Sequence, residues 1–304
     1  MSARVRKIVG GSIVVTLIGQ FQIMQSEIFS SQAIRISWGH RRVACDVPCF
    51  WPYWRSSSVV QRVHVHPLGV SMTLSMEGEA YYPELELAHR TSKHAIASTR
   101  FNSDVPMPYF SWAEYNIQAP KVAFEKVKAT GTSFIASNCH SLSHREPLVG
   151  ELMGNMSVHS YGRCLNNMPS TTFDKVVLMR KHATHLAFEN QCVDDYVTEK
   201  MWQTLGAGVI PVYYGAPNIA SHAPNGSFID ARGFPDARSL AAHLNNVSST
   251  QSLYDSYHAW RVRPLPRWFV NKYNFTSIHH ECRVCLWANQ ARAHHGLPDT
   301  LLFD

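Results

Sequence analysis

The chain has 304 residues, 45% of them hydrophobic and 16% charged, with a formal net charge of +6. That composition excludes a disordered or collagenous chain, and the length favours two domains over one. The basic residues form no long block, the densest runs being SARVRK (2–7) and WRVRPLPRW (260–268). No nucleic-acid partner is therefore expected, and an anionic small ligand accounts for the charge equally well.

Arg4, Arg6 and Lys7 precede an apolar run from Ile8 to Gly19, which extends to Met24 only through Gln20 and Gln22. The run is short of the roughly 20 residues of a membrane span. With a basic flank and no clear cleavage site it reads as a weak signal anchor, residues 1–30 forming a cytoplasmic tail and the anchor. A cleaved signal or an ordinary buried segment would carry the same residues. The remainder would be lumenal, which agrees with the sequons at Asn155, Asn225, Asn246 and Asn274.

Seven cysteines point the same way. Cys45 and Cys49 lie near the start of the folded part, Cys282 and Cys285 near its end, and Cys139 and Cys164 each follow an expected strand. Disulfides suit a lumenal chain. The reading bridges the Cys45/Cys49 pair to the Cys282/Cys285 pair, joins Cys139 to Cys164 and leaves Cys192 free. HHECRVC (279–285) could also offer zinc ligands, but its spacing fits no familiar finger and no metal site is assigned.

In the first half, RVHVH (62–66) and SMTLSM (71–76) alternate or cluster apolar residues as strands do, PELELAHRTS (83–92) reads as a helix and HAIAS (94–98) as a strand. Together they make a small α/β domain, 31–128. The segment SDVPMPYFSWAEYNIQAPK, with Pro106, Pro108 and Pro120, is an irregular connector and the natural boundary. From Gly131 strands and helices alternate: SFIAS, MSVHSYG, THLAFEN, a helix after Asp195, GVIPVYYG, GSFID and DARSLAAHLNNV. Such alternation predicts a parallel sheet covered by helices on both faces, domain 129–262, followed by a tail, 263–304, tied back by disulfides.

The most informative stretch is FENQCVDDYVTEKMWQTLGAGVIPVYYG, Phe188 to Gly215. Asp194 or Asp195 is the expected N-cap of its helix. A helical wheel gathers Val197, Met201 and Leu205 into a core stripe and sets Tyr196, Glu199, Lys200 and Gln203 opposite. That polar group could simply face water. However, LAFEN ends a buried strand, ligands bind beyond the carboxyl ends of such strands, and a helix start beside a lysine suits a phosphate. Pro211 is awkward inside a strand, because it removes a ladder donor. GAGVIP shares two glycines with the dinucleotide fingerprint but precedes a strand instead of following one, which argues against a nicotinamide enzyme.

These residues resemble the α1,3/4-fucosyltransferases, glycosyltransferase family 10, whose donor motif is close to FEN…DYxTEK…AGxxPVxxG. SMEGEAYYPEL, FIASNC, YGRC, GAPNI…APNGSFID and CRVC resemble its plant-type core branch. The resemblance implies a GT-B fold, two Rossmann-like α/β domains facing a cleft, in a single-pass type II Golgi membrane protein. It further implies inverting transfer of L-fucose from GDP-fucose to the 3-hydroxyl of GlcNAc in the core of N-linked glycans. An antennary, Lewis-type acceptor or an inactive glycan-binding homologue are the alternatives.

By the same resemblance Glu77 is the catalytic base, with Glu79 the alternative. Tyr196, Glu199 and Lys200 bind the donor, Lys200 near the diphosphate, and Asn138, Glu189, Asn190 and Thr198 assist. Arg163 in YGRC matches an arginine of the animal Lewis-type branch and could grip phosphate with its fork. No obligatory cofactor is implied, and manganese would act only as a stimulant.

Overall fold

The structure, a computed structural model, describes residues 59–66, 69–169 and 174–294, together with short extended pieces. Those pieces are β1 (Arg4–Ile8), β2 (Ser12–Thr16), β3 (Ser37–Trp38), β4 (Arg41–Arg42) and, at the other end, β14 (Leu302–Phe303). Most of the expected anchor, and both Cys45 and Cys49, lie outside the described residues. No helix among the described residues is long and apolar enough to cross a membrane. The chain divides into two α/β units, Met1–Pro108 with Phe275–Asp304, and Tyr109–Asn274.

The first unit is built on a five-stranded sheet of order β14-β5-β6-β7-β8, with β5 (Gln61–His66), β6 (Val70–Leu74), β7 (His94–Ser98) and β8 (Val105–Pro106). β5 and β6 pair antiparallel and β6 and β7 parallel. Val63, Val65, Met72, Ala95 and Ala97 supply its core, against Val284, Cys285 and Ala288 of helix α8 (His280–His294). The expected helix at PELELAHRTS is instead two single 3-10 turns, Pro83–Leu85 and Leu87–His89. Glu86 between them is extended, with φ −62° and ψ 133°, and so cannot carry an α-helical ladder across the junction.

The second unit is an all-parallel sheet of order β10-β9-β11-β12-β13. Its strands are β9 (Thr132–Phe134), β10 (Val158–Ser160), β11 (Thr184–Phe188), β12 (Ile210–Tyr214) and β13 (Ile229–Asp230). Every residue of β11 is buried, as expected for a central strand covered on both faces. The helices are α1 (Phe124–Val127), α2 (Arg145–Met153), α3 (Lys175–Met179), α4 (Glu199–Gly206), α5 (Ala237–Ser249), α6 (Gln251–Ser256) and α7 (Arg267–Tyr273). Val149 and Leu152 of α2 and Leu240, Ala241 and Leu244 of α5 pack with Leu186 and Val212 of the sheet in one core.

Pro211 costs this sheet nothing. The Ile210 N–H donates to the Ala183 carbonyl on the β11 side, so the next nitrogen faces the opposite edge. There β13 pairs only from Val212 onward, and no ladder donor is lost.

Candidate functional site

With β9 lying between β10 and β11, the connections leaving β9 and β11 run in opposite directions. The crevice between the loops that follow those two strands is where open α/β sheets bind ligands. One wall is the loop from Ile135 to His144, which ends at α2; the other runs from Glu189 to Thr198, which ends at α4.

The two walls are fastened by side chains that sequence inspection missed. Buried Arg145 donates from one guanidinium nitrogen to the Phe188 carbonyl (2.6 Å), from another to the Asn138 carbonyl (3.0 Å), and from Nε to Glu146 Oε1 (3.2 Å). The Ser143 hydroxyl donates to the Glu189 carbonyl (2.6 Å) and its N–H to the Asn190 carbonyl (3.0 Å). Glu146 accepts from the Ser141 hydroxyl at 2.6 Å. Burial opposes its ionisation, but Ser141 and Arg145 prevail and hold its carboxyl below the ordinary range. These residues carry no helical or strand periodicity; their only signal is a buried arginine beside hydroxyls at the start of a helix.

Glu189 and the start of α4 form the chemical centre. Thr198, extended at φ −92° and ψ −174°, is the N-cap, and its hydroxyl oxygen accepts from the Lys200 N–H at 3.5 Å. The expected caps, Asp194 and Asp195, stand too early, since α4 begins at Glu199, and Asp195 moreover has a left-handed φ of 63° where an N-cap is typically extended. Tyr196 and Val197 therefore precede the helix. The Tyr196 ring is buried, edge-on to Tyr109, and is not on the polar face where the wheel set it. Val197, Met201 and Leu205 are buried as expected.

The wholly buried Glu189 carboxylate accepts from the Thr198 N–H and hydroxyl, both at 2.7 Å, and from Lys200 Nζ at 3.0 Å. Lys200 Nζ also donates to the Thr198 hydroxyl at 2.8 Å and lies 3.6 Å from Glu199 Oε1. Burial pushes the Glu189 carboxyl up, against the pull of Lys200 and Thr198. Burial also works against the charge on Lys200, but Glu189 and Glu199 outweigh it, and its pKa is raised. Three donors converge on Glu189, and the ionised pair is the arrangement that satisfies them. An ammonium has three N–H donors, so Lys200 keeps one beyond Glu189 and Thr198.

Gly215 makes room for this. A Cβ there would stand 2.5 Å from Glu189 Cγ and 2.6 Å from the Tyr213 hydroxyl. The loop before α4 is pinned through Asp195, which exchanges hydrogen bonds with Asn218 (3.0 and 2.8 Å) and meets His222 Nε2 at 3.0 Å. His222 Nδ1 in turn lies 2.7 Å from the Tyr273 hydroxyl.

On the other wall Asn138 is exposed and accepts from the His140 N–H at 3.1 Å. The expected Cys139–Cys164 disulfide is present, with Cα atoms 5.2 Å apart. Exposed Arg163 donates twice to the Ser137 carbonyl, at 2.8 and 3.3 Å. Glu77, in the first unit, follows β6, and its N–H donates to the Ser75 hydroxyl at 3.0 Å. Glu79 is drawn to Arg100 at 3.8 Å. Cys192 is free, and Cys282 and Cys285 are both disulfide-bonded.

An open parallel sheet with a lysine and helix starts at its switch point defines an α/β domain of the kind that holds phosphorylated ligands. The sequence model of glycosyltransferase family 10 (fucosyltransferase), C-terminal part, matches residues 125–300, and the chain belongs to that family. It is 32% identical over 278 residues to a fucosyltransferase-like protein of Arabidopsis thaliana, covering 89% of this chain and 54% of that protein. It is 34% identical over 195 residues to the human GDP-fucose protein O-fucosyltransferase 3, covering 54% of this chain and 40% of the relative. The chain thus spans about half the length of the relatives it matches. A solved α1,3-fucosyltransferase with GDP superposes with a TM-score of 0.47 at 18% identity, covering 56% of this chain and 48% of the other.

Proposed function

We propose that the chain is an inverting, GDP-fucose-dependent fucosyltransferase of GT-B type that transfers L-fucose to the 3-hydroxyl of a GlcNAc in the core of N-linked glycans. The observation that carries this reading is the lysine at the switch-point crevice, Lys200, buttressed by Glu189 and Thr198 at the start of α4. Such a site offers a cation and helix N–H groups to a diphosphate leaving group. Glu77 would take the proton of the acceptor hydroxyl as that oxygen attacks the anomeric carbon and the bond to the GDP oxygen breaks. Asn138, Arg163, Asn190 and Glu199 complete the donor side. The lumenal Golgi setting, through the N-terminal anchor, belongs to the same proposal.

A second acceptor class follows from the likeness to the protein O-fucosyltransferase, in which the hydroxyl would belong to a protein. The test is incubation of the protein with GDP-fucose and either a defined GlcNAc-terminated N-glycan or a folded Ser/Thr-bearing domain, followed by GDP assay and mass spectrometry of the product. Fucose on the core GlcNAc supports the first reading, and fucose on the polypeptide replaces it with the second. GDP release with neither acceptor overturns both. Glu77→Gln should abolish turnover while GDP-fucose binding survives; full activity in that variant would remove Glu77 as the base.

A further inference from the structure

Far along the chain from the donor stretch, at the entrance to α8 in the first unit, His279, His280 and Glu281 bring three ligand atoms within 4.8 Å of one another. Two of those side chains face each other as an ion pair that makes no hydrogen bond. His279 Nδ1 and Glu281 Oε2 lie 3.5 Å apart, with side chains 23% and 11% exposed, yet neither atom has a hydrogen-bond partner. The two histidine rings lie with centroids 4.1 Å apart, and a ring nitrogen of His280 is within 4.8 Å of the ligand atoms of His279 and Glu281.

We propose that His279, His280 and Glu281 form a zinc-class divalent cation site that fixes the start of α8. Two imidazoles and one carboxylate are borderline ligands that suit zinc and leave its fourth position to water. Zinc bonds near 2.1 Å set tetrahedral ligands about 3.4 Å apart; the His279–Glu281 pair already has that spacing, and side-chain rotation supplies the remainder. Cys282 and Cys285 are disulfide-bonded and so are not ligands. The site thus differs from any finger built on those cysteines. The cation would fix the first residues of α8, whose Val284, Cys285 and Ala288 complete the core of this unit.

The test is zinc binding by the full chain, stripped with EDTA and dialysed, followed by calorimetric titration and metal analysis. One zinc per chain with a raised melting temperature is expected. His280→Ala and Glu281→Gln should each weaken binding at least tenfold, whereas Cys192→Ser, which removes the free thiol, should leave it unchanged. Circular dichroism of the metal-free variants checks that they fold, and Glu281→Asp, which keeps a carboxylate, should recover part of the affinity. Zinc uptake equal in the wild type and the His280→Ala/Glu281→Gln double variant overturns the proposal, as does uptake lost in Cys192→Ser. If Glu281→Gln lowers the melting temperature equally with and without zinc, the residues are an ordinary ion pair and the site does not exist.

Discussion

Lys200 Nζ stands 3.0 Å from Glu189 Oε2, joining a wholly buried carboxylate to an ammonium that retains 21% side-chain exposure. The pair therefore has two duties, holding the start of α4 against the end of β11 and presenting a cation at the crevice. Removing only the lysine strands a carboxylate in the interior. Lys200→Met should cost about 3 kcal/mol, the low end of the range for breaking a buried pair because the lysine is partly solvated. The double variant Glu189→Gln/Lys200→Met should be less destabilised than the sum of its parts, since it removes both charges. Urea unfolding of the two single variants and the double measures this coupling; strict additivity would show that the pair does not interact.

Gly215 controls the same carboxylate from behind, through space and not charge. Its φ is not in the left-handed region, so Gly215→Ala brings steric pressure without backbone strain. A Cβ 2.5 Å from Glu189 Cγ must push that side chain, or the buried Tyr213 hydroxyl, out of place. Overpacking of this kind costs about 1–3 kcal/mol. Donor affinity should fall in parallel, because the position of Lys200 depends on Glu189. Thermal unfolding together with GDP titration checks both; unchanged GDP affinity in a destabilised variant would separate Glu189 from the ligand site.

The parallel sheet was legible because its strands are short apolar runs between breakers, and THLAF and IPVYY stand where the periodicity sets them. The order of those strands, and hence the switch point, was not, since it depends on which edges pair. The N-cap was misread for a definable reason: Asp194, Asp195 and Thr198 all have capping chemistry, and only the start of α4 at Glu199, together with the left-handed backbone at Asp195, removes the two aspartates from contention. Arg145 escaped notice because its partners are main-chain carbonyls of Phe188 and Asn138, which no side-chain pattern announces. At PELELAHRTS the apolar spacing suits a helix, yet the extended Glu86 divides it into two turns. Local pattern is a weak prior wherever tertiary packing has its own demand.

Acid should unfold the second unit through histidines that the fold keeps neutral. His182 is buried with Nε2 2.7 Å from His159 Nδ1, and His185 is buried in β11 with Nδ1 2.9 Å from the Ser133 hydroxyl. Burial, and then the neighbouring histidine, pushes His182 down to about 4 and His185 down to about 3. Above pH ~6.5 both rings are neutral folded or unfolded, so neither makes stability depend on pH. Below that value the unfolded chain binds protons that the fold excludes. Stability then falls by up to about 1.4 kcal/mol per pH unit per histidine, until the folded-state values are reached. Melting temperatures recorded from pH 7.5 to 5 should decline, and His185→Gln should decline less steeply over the same interval. Parallel curves for the two proteins would show that His185 titrates normally.

The Cys139–Cys164 bridge closes a sequence separation of 25 residues and ties the loop after β9 to the one after β10. In the chain-entropy account, cross-linking a loop of that length removes roughly 3 kcal/mol of freedom from the unfolded state. Cys139→Ser/Cys164→Ser should lose about that much stability. Because Ser137 and Arg163 sit beside the two cysteines and are joined by Arg163 donating to the Ser137 carbonyl, the loss should also loosen the wall that carries Asn138. The expected signature is lower stability together with a raised KM for the sugar nucleotide and a kcat close to normal. Cys192→Ser serves as the control, being a free, half-buried thiol outside the bridge. If the double variant loses stability with KM unchanged, the bridge acts on the fold alone and the wall at Asn138 is held by Arg145.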